Sequence, residues 1–324
     1  VSTAPAFAFV EADSAWRAAL DRADHLRDRP EALAALWAQA RVIVLDGSGQ
    51  AYADDDDNLL APLGHELTDG PGGTGASIFL GLAADGQAWF AIESELVAFQ
   101  APRRVDLRRA AAHWSLLDAS VFAQARALQH WRGRHRYCGV CGGEIAFARA
   151  GWTGRCGQCG TEHYPRTDPA VIVAVSDGER LLLGRQAGWP AQRYSVIAGF
   201  VEPGESLEQT VAREVLEETG VRVRSCQYLG SQPWPFPSAL MLGFAALAEP
   251  DAPQVSDELE EARWFTLEEI RAAAARGERK AAAPSAEAAA AAGDDDGPLL
   301  SPSISISRWL IEHWRVAAEE RAGR

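Results

Sequence analysis

The 324-residue chain contains no run of eighteen or more apolar residues, which excludes a membrane-spanning helix. Its first segment, Val1–Asp13, lacks a basic flank followed by an apolar stretch, so no secretory signal is expected and the protein reads as cytoplasmic. An excess of positive charge is also missing. With 31 basic against 45 acidic residues the net charge is −14, which disfavours a protein whose main task is to coat nucleic acid. Cysteines number only five, too few and too regularly paired for a disulfide framework in a cytosolic chain. No internal repeat is visible. A hydrophobic fraction of 47% with 23% charged residues is a globular composition, and the length allows two or three domains.

Composition and patterning divide the chain into residues 1–130, 131–166 and 167–324. The first part reads as α+β: a helix-forming stretch Ala15–Ala40 broken at Pro30, then strand-like runs Arg41–Leu45, Ser77–Leu82 and Ala88–Ile92. Asp54–Asp57 lacks the spaced alternation of a calcium loop and reads as a solvated turn. A helical pattern over Ala110–Trp131 leads into the cysteines. A basic stretch accompanies it, with Arg103, Arg104, Arg108, Arg109, Arg126, Arg132, Arg134 and Arg136, and reads as a salt-bridged surface or an anion site. After Tyr164-Pro165, strands and helices alternate as in a layered α/β domain. Within it, Lys280–Gly297 is a low-complexity insertion expected to be disordered.

Cys138 and Cys141, then fourteen intervening residues, then Cys156 and Cys159 form two CxxC knuckles at zinc-ribbon spacing. Four thiolates close a tetrahedron around one Zn²⁺ and leave no position for water, so this site is expected to be structural.

The strongest signal begins at Gly199. Five residues on comes Glu205, and after seven more the string Arg213-Glu-Val-Leu-Glu-Glu-Thr-Gly220-Val221. Ser206 with Gln209 is a capping box that starts a helix, and Gly220 is placed to end it. Glu214, Glu217 and Glu218 then share an arc of roughly 100°, with Val211, Ala212, Val215 and Leu216 facing elsewhere. Such crowded carboxylates repel one another, and a hard divalent cation, Mg²⁺ or Mn²⁺, relieves the repulsion.

The segment resembles the Nudix box at every defined position. The resemblance implies an α/β/α sandwich with a mixed sheet for the C-terminal domain. It also implies metal ligation by Glu214, Glu218 and the Ala198 carbonyl, Glu217 as a further ligand or base, and Glu205 paired with Arg213. The substrate is narrowed by Ser231-Gln-Pro-Trp-Pro-Phe-Pro-Ser238-Ala239, a string similar to the one that distinguishes the NADH pyrophosphatase family within the Nudix proteins. That family also carries a four-cysteine ribbon followed by a Tyr-Pro-Arg segment, present here as Tyr164–Arg166. By this likeness Tyr164 and Phe200 would stack on a ring of the substrate. Gln232, Pro233, Trp234, Pro235, Phe236, Pro237, Ser238 and Ala239 would line the dinucleotide site, Glu258 would add a metal ligand, and Ser307 would contact substrate. A homodimer is also implied. Ala239 departs from the family's serine, and the insertion has no counterpart.

The expected activity is cleavage of the NADH or NAD diphosphate to nicotinamide mononucleotide and AMP. Removal of NAD caps from RNA 5′ ends is the second substrate reading. The competing class is a non-enzymatic nucleotide-binding regulator with the ribbon as a partner module, which has no need for the full set of glutamates.

Overall fold

Residues 7–10, 20–72, 76–190, 192–281 and 297–323 are described in a computed structural model, in which the chain forms two units. One comprises Ala8–Thr167 together with Trp234–Ser238; the other holds Phe7, Asp168–Pro233 and the residues from Ala239 onward.

In the N-terminal unit the chain runs α1 (Pro30–Trp37), β1 (Arg41–Leu45), β2 (Ala51–Ala53), α2 (Gly64–Leu67), β3 (Ser77–Leu82), β4 (Ala88–Glu93), β5 (Arg103–Val105), α3 (Leu107–His113) and α4 (Leu116–Arg134). The strands form one sheet in the order β3-β4-β1-β2-β5, with β1 and β4 parallel. Period-two alternation sends Ile43, Leu45, Leu80, Trp89 and Ala91 to one face, where Val121, Phe122, Ala125 and Leu128 of α4 cover them. Val42, Val44, Phe79 and Phe90 point to the other face, against Leu33 and Trp37 of α1. Pro30 is the first residue of α1, where its missing N–H costs nothing.

The single helix expected over Ala110–Trp131 is two. Trp114 is extended (ψ 163°) and Ser115 caps α4 by accepting the Asp118 N–H at 3.1 Å, so a local cap outcompetes helix continuation. Asp54–Asp57 is a solvent-facing turn, with Asp55 and Asp56 exposed. Asp54 accepts the N–H groups of Asp56 and Asn58, and Asp57 pairs with Arg103 at 2.7 Å and with Arg109.

Beyond α4 the ribbon is a three-stranded antiparallel sheet, β6 (Ile145–Ala148), β7 (Thr153–Cys156) and β8 (Glu162–His163). The turn between β6 and β7 is anchored on the N-terminal sheet and its surroundings. The Trp152 indole N–H donates to the Phe79 carbonyl at 2.7 Å, the Arg27 guanidinium lies 3.7 Å over the Trp152 ring, and Arg149 pairs with Asp24 and Asp28.

The other unit contains β9 (Asp168–Ser176), β10 (Leu181–Arg185), β11 (Arg193–Tyr194), β12 (Ile197–Phe200), α5 (Leu207–Thr219), β13 (Val223–Trp234), β14 (Ala239–Ala248), β15 (Glu261–Phe265), α6 (Leu267–Ala281), β16 (Leu299–Leu300) and α7 (Ile306–Ala322). A mixed sheet runs β13-β14-β9-β10-β15, with β12 paired to β9 as well. β9 is buried from Ala170 to Ser176 without alternation, as expected for a strand covered on both faces. Val171, Val173 and Val175 pack against Val211 and Val215 of α5. On the opposite face the Trp314 indole of α7 donates to the Ser176 hydroxyl at 2.9 Å. Helix, mixed sheet and helix give the α/β/α sandwich. Most of the predicted insertion lies outside the described residues. Among the described residues no helix is long and apolar enough to cross a membrane.

Candidate active site

α5 starts at the expected capping box. The Gln209 N–H donates to the Ser206 hydroxyl at 3.2 Å, and the Gln209 side chain accepts the Ser206 N–H at 2.8 Å. It ends at Gly220, in the left-handed region at φ 68°. Its glutamates do not form a single exposed arc. Glu214 and Glu218 are buried together with Val211 and Val215, on the side turned to the sheet, whereas Leu216 is 49% exposed. Helical geometry explains the correction, since Val211, Glu214, Val215 and Glu218 all fall within about 100° of arc. Two carboxylates thus occupy positions that packing alone would give to aliphatic residues.

The carboxylates are held by Arg213. Its guanidinium donates to both oxygens of Glu205 at 2.6 and 2.9 Å, to Glu214 at 2.9 Å, to Glu217 at 3.0 Å, and to the Phe200 carbonyl at 2.9 Å. The fork against Glu205 ties the loop before α5 to the helix, as a bidentate pair does best. Arg213, the Glu202 N–H and the Thr210 hydroxyl together hold the Glu205 carboxyl down to about 2, against a smaller opposing effect of burial. Thr210 was not singled out from sequence; its place one turn into the helix, five residues after Glu205, is the only cue.

Glu218 shows the opposite perturbation. Burial, followed by the nearby charges of Glu214 and Glu258, pushes its carboxyl up to about 8. Glu214 is also raised, by burial first, with Arg213 opposing and Glu217 and Glu258 adding to the rise. A buried acid pressed by like charges is the environment a divalent cation would relieve, and the donor set is all oxygen, which suits Mg²⁺ or Mn²⁺. The Glu214 carboxylate lies directly against the backbone of β12. A Cβ at Gly199 would fall 1.9 Å from its carboxyl carbon, so only glycine permits this approach, next to the Ala198 carbonyl. Glu217 is set apart, its side chain 61% exposed and tied to Arg213.

The four cysteines are gathered more tightly. Their sulfurs all lie within 4.8 Å of one another, with Cys138–Cys159 at 3.7 Å and Cys141–Cys156 at 3.4 Å. A tetrahedral zinc site with Zn–S near 2.3 Å has S···S edges of about 3.8 Å. The knuckles are near copies. Gly142 N–H donates to the Cys138 carbonyl at 2.9 Å and Gly160 N–H to the Cys156 carbonyl at 3.0 Å, both glycines at φ of 75–77°. Val140 N–H and Gln158 N–H reach the Cys138 and Cys156 sulfurs at 3.4 Å, as donors to a thiolate.

Residues 134–164 match the NADH pyrophosphatase zinc ribbon domain and residues 166–285 the NUDIX domain. Over 306 residues the chain is 41% identical to the NAD-capped RNA hydrolase NudC of Mycobacterium bovis, covering 92% of this chain and 93% of that one. The chain belongs to the NADH pyrophosphatase family of Nudix hydrolases. It is also 38% identical over 209 residues to the human NAD-capped RNA hydrolase NUDT12, covering 61% of this chain and 42% of the relative. Among solved structures, a Nudix hydrolase from Nitrosomonas europaea is 27% identical over 40% of this chain and 77% of its own, with a TM-score of 0.35.

The residues that the family likeness assigns to substrate fall into different settings. Tyr164 and Phe200 are 62% and 60% exposed, the former in the N-terminal unit with its hydroxyl donating to Glu162 at 2.6 Å. Exposed aromatic faces of this kind are free to stack. Gln232 and Ser307 are not presented in that way. The Gln232 amide is fully buried, donates to the Ile304 carbonyl and accepts the Ile306 N–H, both at 2.8 Å. Ser307 is 2% exposed and its hydroxyl bonds with Ser195 at 2.8 Å and Ser301 at 3.0 Å. Their side chains fasten the start of α7. Pro233, Pro235 and Pro237 stiffen the path between β13 and β14, and the rings of Trp234 and Phe236 pack edge to face, 4.8 Å apart. Ser238 and Ala239 close the segment half-buried.

Proposed function

We propose that the protein hydrolyses the diphosphate of NADH or NAD with a divalent cation, adding water across one P–O bond to give AMP and nicotinamide mononucleotide, the latter in reduced form from NADH. The same cleavage at an NAD-capped 5′ end would release nicotinamide mononucleotide and leave a 5′-monophosphate RNA. The observation that carries this reading is the buried Glu214–Glu218 pair, with Glu214 pressed against Gly199 and both carboxyls raised in pKa by burial and by neighbouring carboxylates.

Glu214, Glu218 and the Ala198 carbonyl, with Glu258, would hold Mg²⁺ or Mn²⁺. Bound there, the cation would neutralise charge on the diphosphate oxygens and promote ionisation of the attacking water. The remaining work belongs to this chain. Arg213 keeps Glu205, Glu214, Glu217 and the Phe200 carbonyl in one frame, so that α5 and the loop before it present a fixed set of oxygens. Glu217, solvent-exposed and hydrogen-bonded to Arg213, would act as a further ligand or take a proton from water. Tyr164 and Phe200 offer ring faces for the nicotinamide or adenine, and the 232–239 segment sets the length of substrate accepted. The ribbon holds one structural Zn²⁺. A cytoplasmic homodimer fits the family expectation.

Product analysis tests the reading. Incubation of NADH with the protein and Mg²⁺ or Mn²⁺ gives equimolar mononucleotide and AMP, and none after chelation; release of nicotinamide or inorganic phosphate instead would overturn it. Free NADH and NAD-capped RNA compared at matched concentration rank the two substrates.

A further inference from the structure

Several guanidiniums of the basic stretch have a carboxylate in reach: Arg103 and Arg109 share Asp57, Arg104 lies 4.0 Å from Asp46, and Arg132 feels Glu93. Among the described residues Arg108 makes no such ion pair. Its guanidinium carbon instead lies 4.3 Å from the centre of the Phe236 ring and 5.5 Å from that of Trp234. This segment, Trp234–Ser238, leaves β13 and returns in β14, yet it packs with the N-terminal unit, where Phe236 rests against the core that includes Val105, Leu107 and Phe122.

We infer that Arg108 is a positioning residue for the substrate: it fixes the Trp234–Phe236 ring pair and thereby sets how tightly the enzyme holds its dinucleotide. The inference rests on the reading above that residues 232–239 line the dinucleotide site. The three prolines restrict the backbone of the segment but leave the χ angles of Trp234 and Phe236 free. Something else must hold the rings. The Phe236 N–H bonds the Trp234 carbonyl at 2.7 Å, and one side of Phe236 is packed; the cation supplies a further contact.

Arg108 is well anchored for this task. The Asp106 carboxylate caps α3 by accepting the N–H groups of Arg108 and Arg109 at 2.8 and 3.0 Å, and the neighbouring Leu107 is 4% exposed. The side chain therefore stands on the first turn of a capped helix. With no carboxylate competing for the guanidinium, attraction to the ring faces goes undiminished.

Steady-state kinetics on the full chain test this with Arg108→Ala, Arg108→Lys, Phe236→Ala and the double variant Arg108→Ala/Phe236→Ala. The substrates are NADH and a base-free diribosyl pyrophosphate. Arg108→Ala should raise the KM for NADH about two- to fivefold, the range of one exposed cation–ring contact, with kcat held within twofold. Arg108→Lys should recover part of the loss, and KM for the base-free compound should not move. The double variant should match Phe236→Ala alone, because Arg108 acts through the ring. If Phe236→Ala leaves the NADH KM unchanged, the assignment of the segment to the dinucleotide fails and takes the inference with it. If Phe236→Ala raises KM and Arg108→Ala does not, the role of Arg108 alone is refuted. Fully multiplicative effects in the double variant would mean that Arg108 meets the substrate itself, and equal losses on both substrates that it supports the fold; either result overturns the inference.

Discussion

Replacing Gly199 with alanine probes the closest approach in the site. The added methyl would sit 1.9 Å from the Glu214 carboxyl carbon and 2.1 and 2.2 Å from its two oxygens. Ordinary contact needs about 3.5 Å, so the carboxylate must retreat by roughly 1.5 Å or the strand must shift. Gly199 does not have a positive φ, so the backbone conformation itself accepts alanine and the effect is purely steric. A displacement of about 1 Å in a positioned group costs on the order of 10² in rate. Stability should fall less, by about 1–3 kcal/mol for overpacking, partly offset because the displaced carboxylate is one that burial penalises. The assay is kcat/KM for NADH across a Mg²⁺ titration, with the thermal midpoint recorded alongside. Activity should drop by about two orders of magnitude and the metal requirement should rise. Adding Glu214→Ala to the variant removes the clash, so Gly199→Ala should then cause little further loss. Near-native turnover in the single variant would show that the position of Glu214 does not matter to the reaction.

Glu218→Gln should lower turnover by roughly two to four orders of magnitude, read in the same assay. The pH dependence has a definite sign. Because the folded Glu218 carboxyl lies at about 8, above its unfolded value near 4.5, the native state binds more protons than the unfolded state across that window. Metal-free protein should therefore lose stability as pH rises from about 4.5 to 8, by a few kcal/mol at most; Glu218→Gln should flatten this fall, and Mg²⁺ should raise the thermal midpoint more at pH 8 than at pH 6. Elemental analysis should find about one zinc per chain, and Cys138→Ser should lose both the zinc and much of the soluble yield. Phe200→Ala should weaken use of NADH by about one to two orders of magnitude and use of a base-free pyrophosphate much less; an equal loss on both would remove its stacking role.

What the sequence made legible was local. The capping box at Ser206–Gln209, the cap at Gly220 and the paired knuckles are patterns in which near neighbours determine geometry, and they stand where the spacing puts them. The side of α5 that meets the sheet was not legible. Helical spacing fits two arcs equally well, Glu214 with Glu217 and Glu218 or Glu214 and Glu218 with Val211 and Val215, and nothing nearby in the chain says which one meets the sheet. The break at Trp114–Ser115 was visible in principle, since Ser115 and Asp118 form a cap signal inside an otherwise helical pattern. Gln232 and Ser307 illustrate a different limit. Residues 72 and more positions apart meet only after the sheet and α7 have packed, so a likeness could mark these positions but not that their side chains turn inward. Arg108 stood among eight arginines, and only its contact with the Phe236 and Trp234 rings, more than a hundred positions away, sets it apart.

The anchorage of Trp152 and Arg149 ties the ribbon to the N-terminal sheet and the segment before it. Its indole closes on the Phe79 carbonyl of β3, and its arginine on Asp24 and Asp28, so opening the zinc knuckles withdraws partners from a strand more than sixty residues upstream. Metal occupancy and the N-terminal sheet are then expected to respond together. Hydrogen exchange at the amides of β3 should report the loss of zinc, although no residue of that strand approaches a cysteine in sequence. The ribbon in this chain is a fastener whose grip reaches the sheet of its own unit.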